Sequence, residues 1–152
     1  LIAAPPGLGK TTLLRELVRC ISEGEGCPAL RVGLADERGE VAALYGGAPQ
    51  LEVGRRTDVI EGCSKARGAM LLLRAMNPQV LAMDEITAPE DADALIMAAG
   101  CGAVLLATAH GEKEGLSARP LYRRLLEEKI FRRLVTIGRG TAGREYEVKE
   151  LC

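Results

Sequence analysis

The stretch APPGLGKTT, Ala4 to Thr12, decides the fold. A phosphate-binding loop has the pattern Gly, four residues, Gly-Lys-[Ser/Thr], set between a buried strand and a helix. Ala4 takes the first position here, and Gly9-Lys10-Thr11 closes the motif. Alanine serves at that position as long as its backbone needs no positive φ. Gly7 and Gly9 allow successive backbone N–H groups to curl round an anion, and the helix that follows adds the positive end of its dipole. Lys10 is placed to reach the β- and γ-phosphates, and Thr11 to hold Mg2+. The nucleotide-binding set is therefore Pro6, Gly7, Leu8, Gly9, Lys10, Thr11 and Thr12. The alternative, a plain glycine turn before a helix, fits the flanks less well. Leu1-Ile2-Ala3 reads as the tail of a buried strand, so more of that strand and an N-terminal domain are expected upstream.

Outward from the loop, helices and strands alternate. Leu13, Leu14, Leu17, Val18 and Ile21 recur at three-to-four spacing, which predicts a helix over Thr11 to Ser22 ended by Gly24 and Gly26. Leu30 to Ala35 reads as a strand, Val41 to Tyr45 as a helical turn, and Ala48 to Asp58 as irregular with a short strand at Leu51 to Val53. Lys65 to Met76 is a second helix, stopped by Asn77-Pro78. Gln79 to Met83 is a strand. Thr87-Ala88-Pro89-Glu90 has the form of a capping box that opens a helix to about Ala99. Ala103 to Ala107 is the next strand, and Ser117 or Pro120 opens a helix to about Lys129. Phe131 to Ile137 and Arg144 to Lys149 read as a hairpin across a glycine-rich link. The fold class is α/β: a P-loop NTPase with a mostly parallel sheet, helices on both faces and a C-terminal antiparallel hairpin, as one domain over residues 1–152. Ligands of such sheets sit beyond the carboxyl ends of the strands.

The apolar run Val80-Leu81-Ala82-Met83 ends in Asp84-Glu85. A strand ending in Asp is the second half of a phosphate-loop site, so Asp84 joins Thr11 as a Mg2+ residue. Glu85, one residue on, is the candidate catalytic base for an attacking water. Such a base belongs to a hydrolase; a kinase has to exclude water. Thr108 and His110 follow the next strand and are candidates to contact the γ-phosphate or the water. Asp36-Glu37-Arg38-Gly39-Glu40 ends another strand on the same edge, and faces either the nucleotide, a subunit contact or solvent. Arg56, in Gly54-Arg55-Arg56-Thr57-Asp58, is the candidate arginine acting in trans on a neighbour's γ-phosphate, or part of a charged surface loop.

Composition narrows the remaining classes. Lys plus Arg number 20 against 21 Asp plus Glu, a net charge of −1, which gives no bulk attraction to nucleic acid or anionic lipid. One Phe, three Tyr and no Trp leave an aliphatic core and few rings for stacking on single strands. The five cysteines, Cys20, Cys27, Cys63, Cys101 and Cys152, are widely spaced beside a lone His, a pattern of reduced thiols and not of a zinc site. No apolar run is long enough to span a membrane as a helix. A guanine-specific Asn/Thr-Lys-x-Asp signature is missing.

The segments APPGLGKTTLLREL, GLADERGEVA, GRRTDVIEGCSKARGAMLLLRAMNPQVLAMDEI and LLATAHG resemble the ATPase domain of the stage III sporulation protein AA family over nearly the whole chain. The phosphate loop alone is widespread; the combination is far more specific. The resemblance implies a RecA-like ATPase of the additional-strand, catalytic-glutamate type, with ATP and Mg2+ as ligands. Lys10 and Thr11 match the phosphate-loop residues, Asp84 and Glu85 the metal and catalytic carboxylates, and Thr108 to His110 the sensor-like segment. It also implies a homo-oligomeric ring, a hexamer for instance, that drives or assembles the mother cell–forespore channel. Its partners would be membrane proteins of that channel, and its place cytoplasmic, peripheral to the inner face of the membrane. The departures are Ala4 for Gly, and Thr87-Ala88-Pro89 after Asp84-Glu85-Ile86, where relatives often carry Gly. The alternatives are a nucleotide-gated scaffold with little turnover, and a single-stranded nucleic-acid-binding ATPase like a plastid and cyanobacterial group of relatives. Low charge and scarce aromatic rings disfavour the second.

Overall fold

The computed structural model describes residues 1–111 and 113–151, without the side chains at 113 and 114; Cys152 lies outside the described residues. In chain order the elements are β1 (Ile2–Ala4), α1 (Lys10–Glu23), β2 (Val32–Asp36), β3 (Leu44–Tyr45), β4 (Ala48–Pro49), β5 (Thr57–Glu61), α2 (Lys65–Ala75), β6 (Val80–Met83), α3 (Pro89–Gly100), β7 (Val104–His110), α4 (Lys113–Leu116), α5 (Pro120–Glu127), β8 (Arg133–Gly140) and β9 (Gly143–Glu150). The main sheet has the strand order β5-β2-β6-β7-β1-β8-β9. Its strands are parallel from β5 to β8, and β9 closes the edge antiparallel to β8.

The sequence pattern explains this layering. Strands β1, β2 and β6 are buried along their whole length, as continuous apolar runs covered on both faces must be. One face packs against α1 through Ile2, Leu14, Val18, Leu34 and Ile137. The other carries α2, α3 and α5 through Leu72, Met83, Leu95, Leu125 and Phe131. Burying each such side chain is worth about 1.5–3 kcal/mol, so these two aliphatic layers carry the fold. The α/β architecture with its C-terminal hairpin is the one read from the sequence. Strand β7 separates β1 from β6. This is the additional strand that the resemblance implies.

Several local expectations are corrected. The segment Val41 to Tyr45 is not helical. The N–H groups of Glu40, Val41 and Ala42 go to the Asp36 carboxylate, and Gly46-Gly47, both at positive φ, reverse the chain so that β3 pairs with β4. No strand forms over Leu51 to Val53. The strand is β5, which begins at Thr57 inside the stretch expected to be irregular and runs on to Glu61, with Asp58 and Glu61 interrupting its apolar pattern. As the edge of the sheet it tolerates them. The capping box is displaced by one residue. Pro89 takes the first helical position, which suits its fixed φ, so Ala88 becomes the N-cap. Asp91, in place of Glu90, accepts the N–H groups of Thr87 and Ala88, both at 3.0 Å. Strand β7 runs three residues past its expected end, because Thr108, Ala109 and His110 pair with Ile2, Ala3 and Ala4. Cys20, Cys27, Cys63 and Cys101 are free.

Candidate functional site

The carboxyl ends of β1, β2, β6 and β7 meet at one edge of the sheet. Ala4 ends β1 fully buried, and positive φ among the described non-glycine residues is confined to Ala43, Asn77, Glu85 and Lys129. Alanine therefore fits the first motif position without strain. The glycines carry the curl: Gly7 has φ 77° and Gly9, the N-cap of α1, has φ 89°. The Lys10 ammonium folds back over the loop and donates to the carbonyls of Ala4 at 2.9 Å and Pro5 at 3.2 Å.

The two halves of the site are joined by hydroxyls. Thr11 Oγ1 donates to Asp84 Oδ2 at 2.9 Å. Thr108 Oγ1 donates to Asp84 Oδ1 at 2.7 Å and accepts the backbone N–H of Glu85 at 2.7 Å. Thr108 is fully buried, so its hydroxyl is spent on holding the two acidic residues. The backbone of Glu85 has φ 42°, a left-handed conformation of the kind that costs about 1–3 kcal/mol at a non-glycine residue and gathers at functional sites. Its side chain is 42% exposed, with His110 Nδ1 3.9 Å from Oε1. His110 sits beside Ala4 in the parallel register. Its backbone is pinned on both sides: its N–H donates to Tyr122 Oη at 3.3 Å, and Arg119 Nη1 donates to its carbonyl at 2.7 Å. The Tyr122 hydroxyl in turn donates to the Ile86 carbonyl at 2.9 Å, and burial pushes its pKa up, so the phenol stays a donor.

A second acidic pair, Asp36-Glu37, ends the neighbouring strand. Asp36 is buried and accepts three backbone N–H groups from the turn that follows. Burial pushes its pKa up, against the opposing pull of those hydrogen bonds. Glu37 accepts Lys65 Nζ at 3.0 Å, and that hydrogen bond holds the Glu37 carboxyl below its ordinary range. Lys65 also donates to Thr87 Oγ1 at 3.2 Å and lies 3.6 Å from Asp91. Glu37, Arg38, Lys65, Asp84 and Glu85 line one cleft. Arg56 stands apart from it. Its carbonyl accepts the N–H of Val32 and its own N–H goes to Ser22 Oγ, which places it at the amino edge of the sheet, away from the phosphate loop of its own chain.

Three residues escaped the sequence reading. Lys65 carried a signal: a lysine in the first turn of a helix opposes the helix dipole and needs carboxylate partners. Tyr122 and Arg144 carried none, because they reach the site only through the folded sheet. Arg144 comes from β9 and lays its guanidinium against the phosphate loop. A methyl group on Gly9 would stand 2.9 Å from Arg144 Nη1 and 3.0 Å from Cζ.

The donor set suits a hard cation held partly by phosphate. The residues at hand are one hydroxyl, Thr11, and one carboxylate, Asp84, both oxygen ligands of the kind Mg2+ takes. The cradle is also open to an anion, since a methyl group on Gly7 would meet nothing within 4 Å.

Residues 1–150 match the family model of sporulation stage III protein AA. The chain belongs to that family. Stage III sporulation protein AA of Bacillus subtilis (strain 168) is 41% identical over 153 residues, which cover 97% of this chain and 50% of that protein. The chain thus spans about half the length of this curated family member. Two solved structures share the fold at low identity. The VirB11 ATPase of the Brucella suis type IV secretion system, in complex with sulphate, has a TM-score of 0.66 at 20% identity, covering 98% of this chain and 47% of that one. The Legionella pneumophila ATPase DotB has a TM-score of 0.73 at 17% identity, covering 99% and 44%. The family's fold is thus that of the P-loop secretion ATPases.

Proposed function

We propose that this domain binds Mg-ATP and hydrolyses it, as the motor of an oligomeric machine that powers or assembles the mother cell–forespore channel of sporulation. The observation that carries the proposal is the Thr11–Asp84 contact at 2.9 Å with Glu85 half-exposed on the next residue. It supports a reading in which a phosphate cradle, a cation-binding pair and a general base work side by side. The family relationship, and the ATPase activity of the two structural neighbours, support the same reading.

The residues divide the work. Backbone N–H groups from Gly7 to Thr12 cradle the phosphates, and Lys10 leaves the Ala4 and Pro5 carbonyls for the β- and γ-phosphate oxygens. Thr11 and Asp84 would hold Mg2+, which neutralises phosphate charge and acts as a Lewis acid when bound. Glu85 takes a proton from the attacking water as its oxygen bonds to the γ-phosphorus; the β–γ bridging bond breaks and its electrons leave with ADP. Thr108 keeps Asp84 and the Glu85 backbone in register, while His110 stands beside Glu85 to orient the water or report loss of the γ-phosphate. Arg56, at the far edge, acts in trans on a neighbouring subunit of a ring. Membrane proteins of the channel are the partners, and the domain works from the cytoplasmic side as a peripheral component. No described helix is long and apolar enough to cross a membrane.

The test is ATP turnover per subunit against protein concentration in the full-length protein, beside Lys10→Ala and Glu85→Gln. A ring ATPase gains turnover with concentration, and Glu85→Gln loses about 10²–10⁴-fold while still binding ATP. Flat, negligible turnover with ATP bound identifies a nucleotide-gated scaffold instead. Salt-sensitive single-strand binding with ATP turnover identifies a nucleic-acid motor.

A further inference from the structure

The phosphate loop is flanked by opposite charges on its two sides. Counting outward from β1, Asp84 and Glu85 follow the end of β6, beyond β7, while Arg144 stands on β9, beyond β8. One strand therefore separates the loop's own strand from each. The register carries Arg144 above the sheet: Tyr146 lies opposite Ile137, and Arg144 opposite Arg139 near the end of the hairpin. Ile137 faces the α1 layer, and side chains alternate along a strand, so Arg139 and Arg144 rise on that same face beside the N-terminus of α1. Arg144 is exposed, and among the described residues its guanidinium has no hydrogen bond or ion pair. It is nonetheless held against Gly9, in the middle of the anion cradle.

We infer that Arg144 is a nucleotide-binding residue that grips the diphosphate end of the nucleotide from the hairpin side. This rests on the nucleotide site proposed above. The reacting end of a nucleoside triphosphate has to face Asp84 and Glu85, so the part that stays behind after cleavage lies toward β8 and β9. A guanidinium presents a rigid fork of donors that matches phosphate oxygens two at a time. Its position gives it contact with the α- and β-phosphates, which ATP and ADP share. Arg144 therefore governs how tightly the product is held, and Glu85 how fast it forms. The exposed hairpin becomes a clamp on ADP release, and anything that moves β9 sets the rate at which the site empties.

The experiment titrates a fluorescent ADP analogue and a non-hydrolysable ATP analogue into the full-length protein, wild type and with Arg144→Ala, Arg144→Lys or Lys10→Ala. Arg144→Ala is expected to weaken both ligands equally, by about tenfold for a charge-assisted bond to phosphate. Arg144→Lys keeps the charge without the fork and falls between; it carries the measurement if the alanine variant does not fold. The ligand-free melting temperature of either variant stays at the wild-type value, because Arg144 lies outside the core. Wild-type affinity in Arg144→Ala, with binding lost in Lys10→Ala, overturns the inference and leaves the nucleotide site standing. Failure of the wild type itself to bind either analogue removes the nucleotide site and the inference together.

Discussion

Strands β2 and β6 are neighbours, and each ends in the same dipeptide. Ala35 pairs with Met83, so Asp36-Glu37 and Asp84-Glu85 follow at the same level of the sheet. Their partners make them different objects. Asp36 is buried under three backbone N–H groups and acts as the staple of a turn. Asp84 accepts two side-chain hydroxyls, one of them from the helix that begins at the phosphate loop. Glu37 is tied to a lysine, whereas Glu85 has only a distant histidine and a strained backbone. One pair builds structure and the other is left available for chemistry. Identical residues at equivalent positions acquire their roles from the donors that reach them.

The contrast is broken most directly at Asp36. Asp36→Ala strands three backbone N–H groups, of which two are in buried surroundings, and is expected to lower stability by about 3 kcal/mol in urea denaturation. An unchanged urea midpoint together with lost turnover would make Asp36 a site residue and end the distinction. Thr108→Val sharpens it next. This near-isosteric change removes the hydroxyl shared by Asp84 and the Glu85 N–H, and turnover should fall about 10–100-fold, as for a lost outer-shell partner. ATP binding should survive in a titration with a non-hydrolysable analogue, since the cradle is untouched. The smallest effect concerns Glu37. Its carboxyl is lowered by Lys65, so the pair's stabilisation is present above the unfolded glutamate value of about 4.3 and is lost as pH falls through the lowered folded value. At this exposure it amounts to less than about 1 kcal/mol. The melting temperatures of wild type and Glu37→Gln, measured from pH 7 downward, should converge as the pH falls through that lowered value.

The parts of the molecule legible in the sequence were those whose chemistry is contiguous. Ala4 to Thr12 states a phosphate cradle within one turn, and Val80 to Glu85 states a buried strand with a carboxylate tip. Both keep their spacing whatever the rest of the chain does. The double engagement of Thr108, the lysine bridge at Glu37 and the guanidinium on Gly9 join residues that are 23 to 135 positions apart. Only sheet register brings them together, and no local pattern encodes register. Strand β5 was missed for a related reason: an edge strand keeps polar residues that a central strand would exclude. The displaced cap of α3 came from two local signals in competition. Proline's demand for the first helical position prevailed over the threonine's suitability as a cap.

Strand β1 has one further consequence, for the order in which this molecule is made. Its neighbours on either side are β7 and β8, with Ile2 pairing to Thr108 and to Val135. The phosphate loop is thus translated before both of them, and the strand that carries it has no sheet partner until more than a hundred further residues have emerged. Chains fold as they are synthesised, and distant pairings close late. The cleft around this loop is therefore among the last features of this domain to form on the ribosome, and a chain short of β7 and β8 lacks the strands that hold β1 and its loop in place.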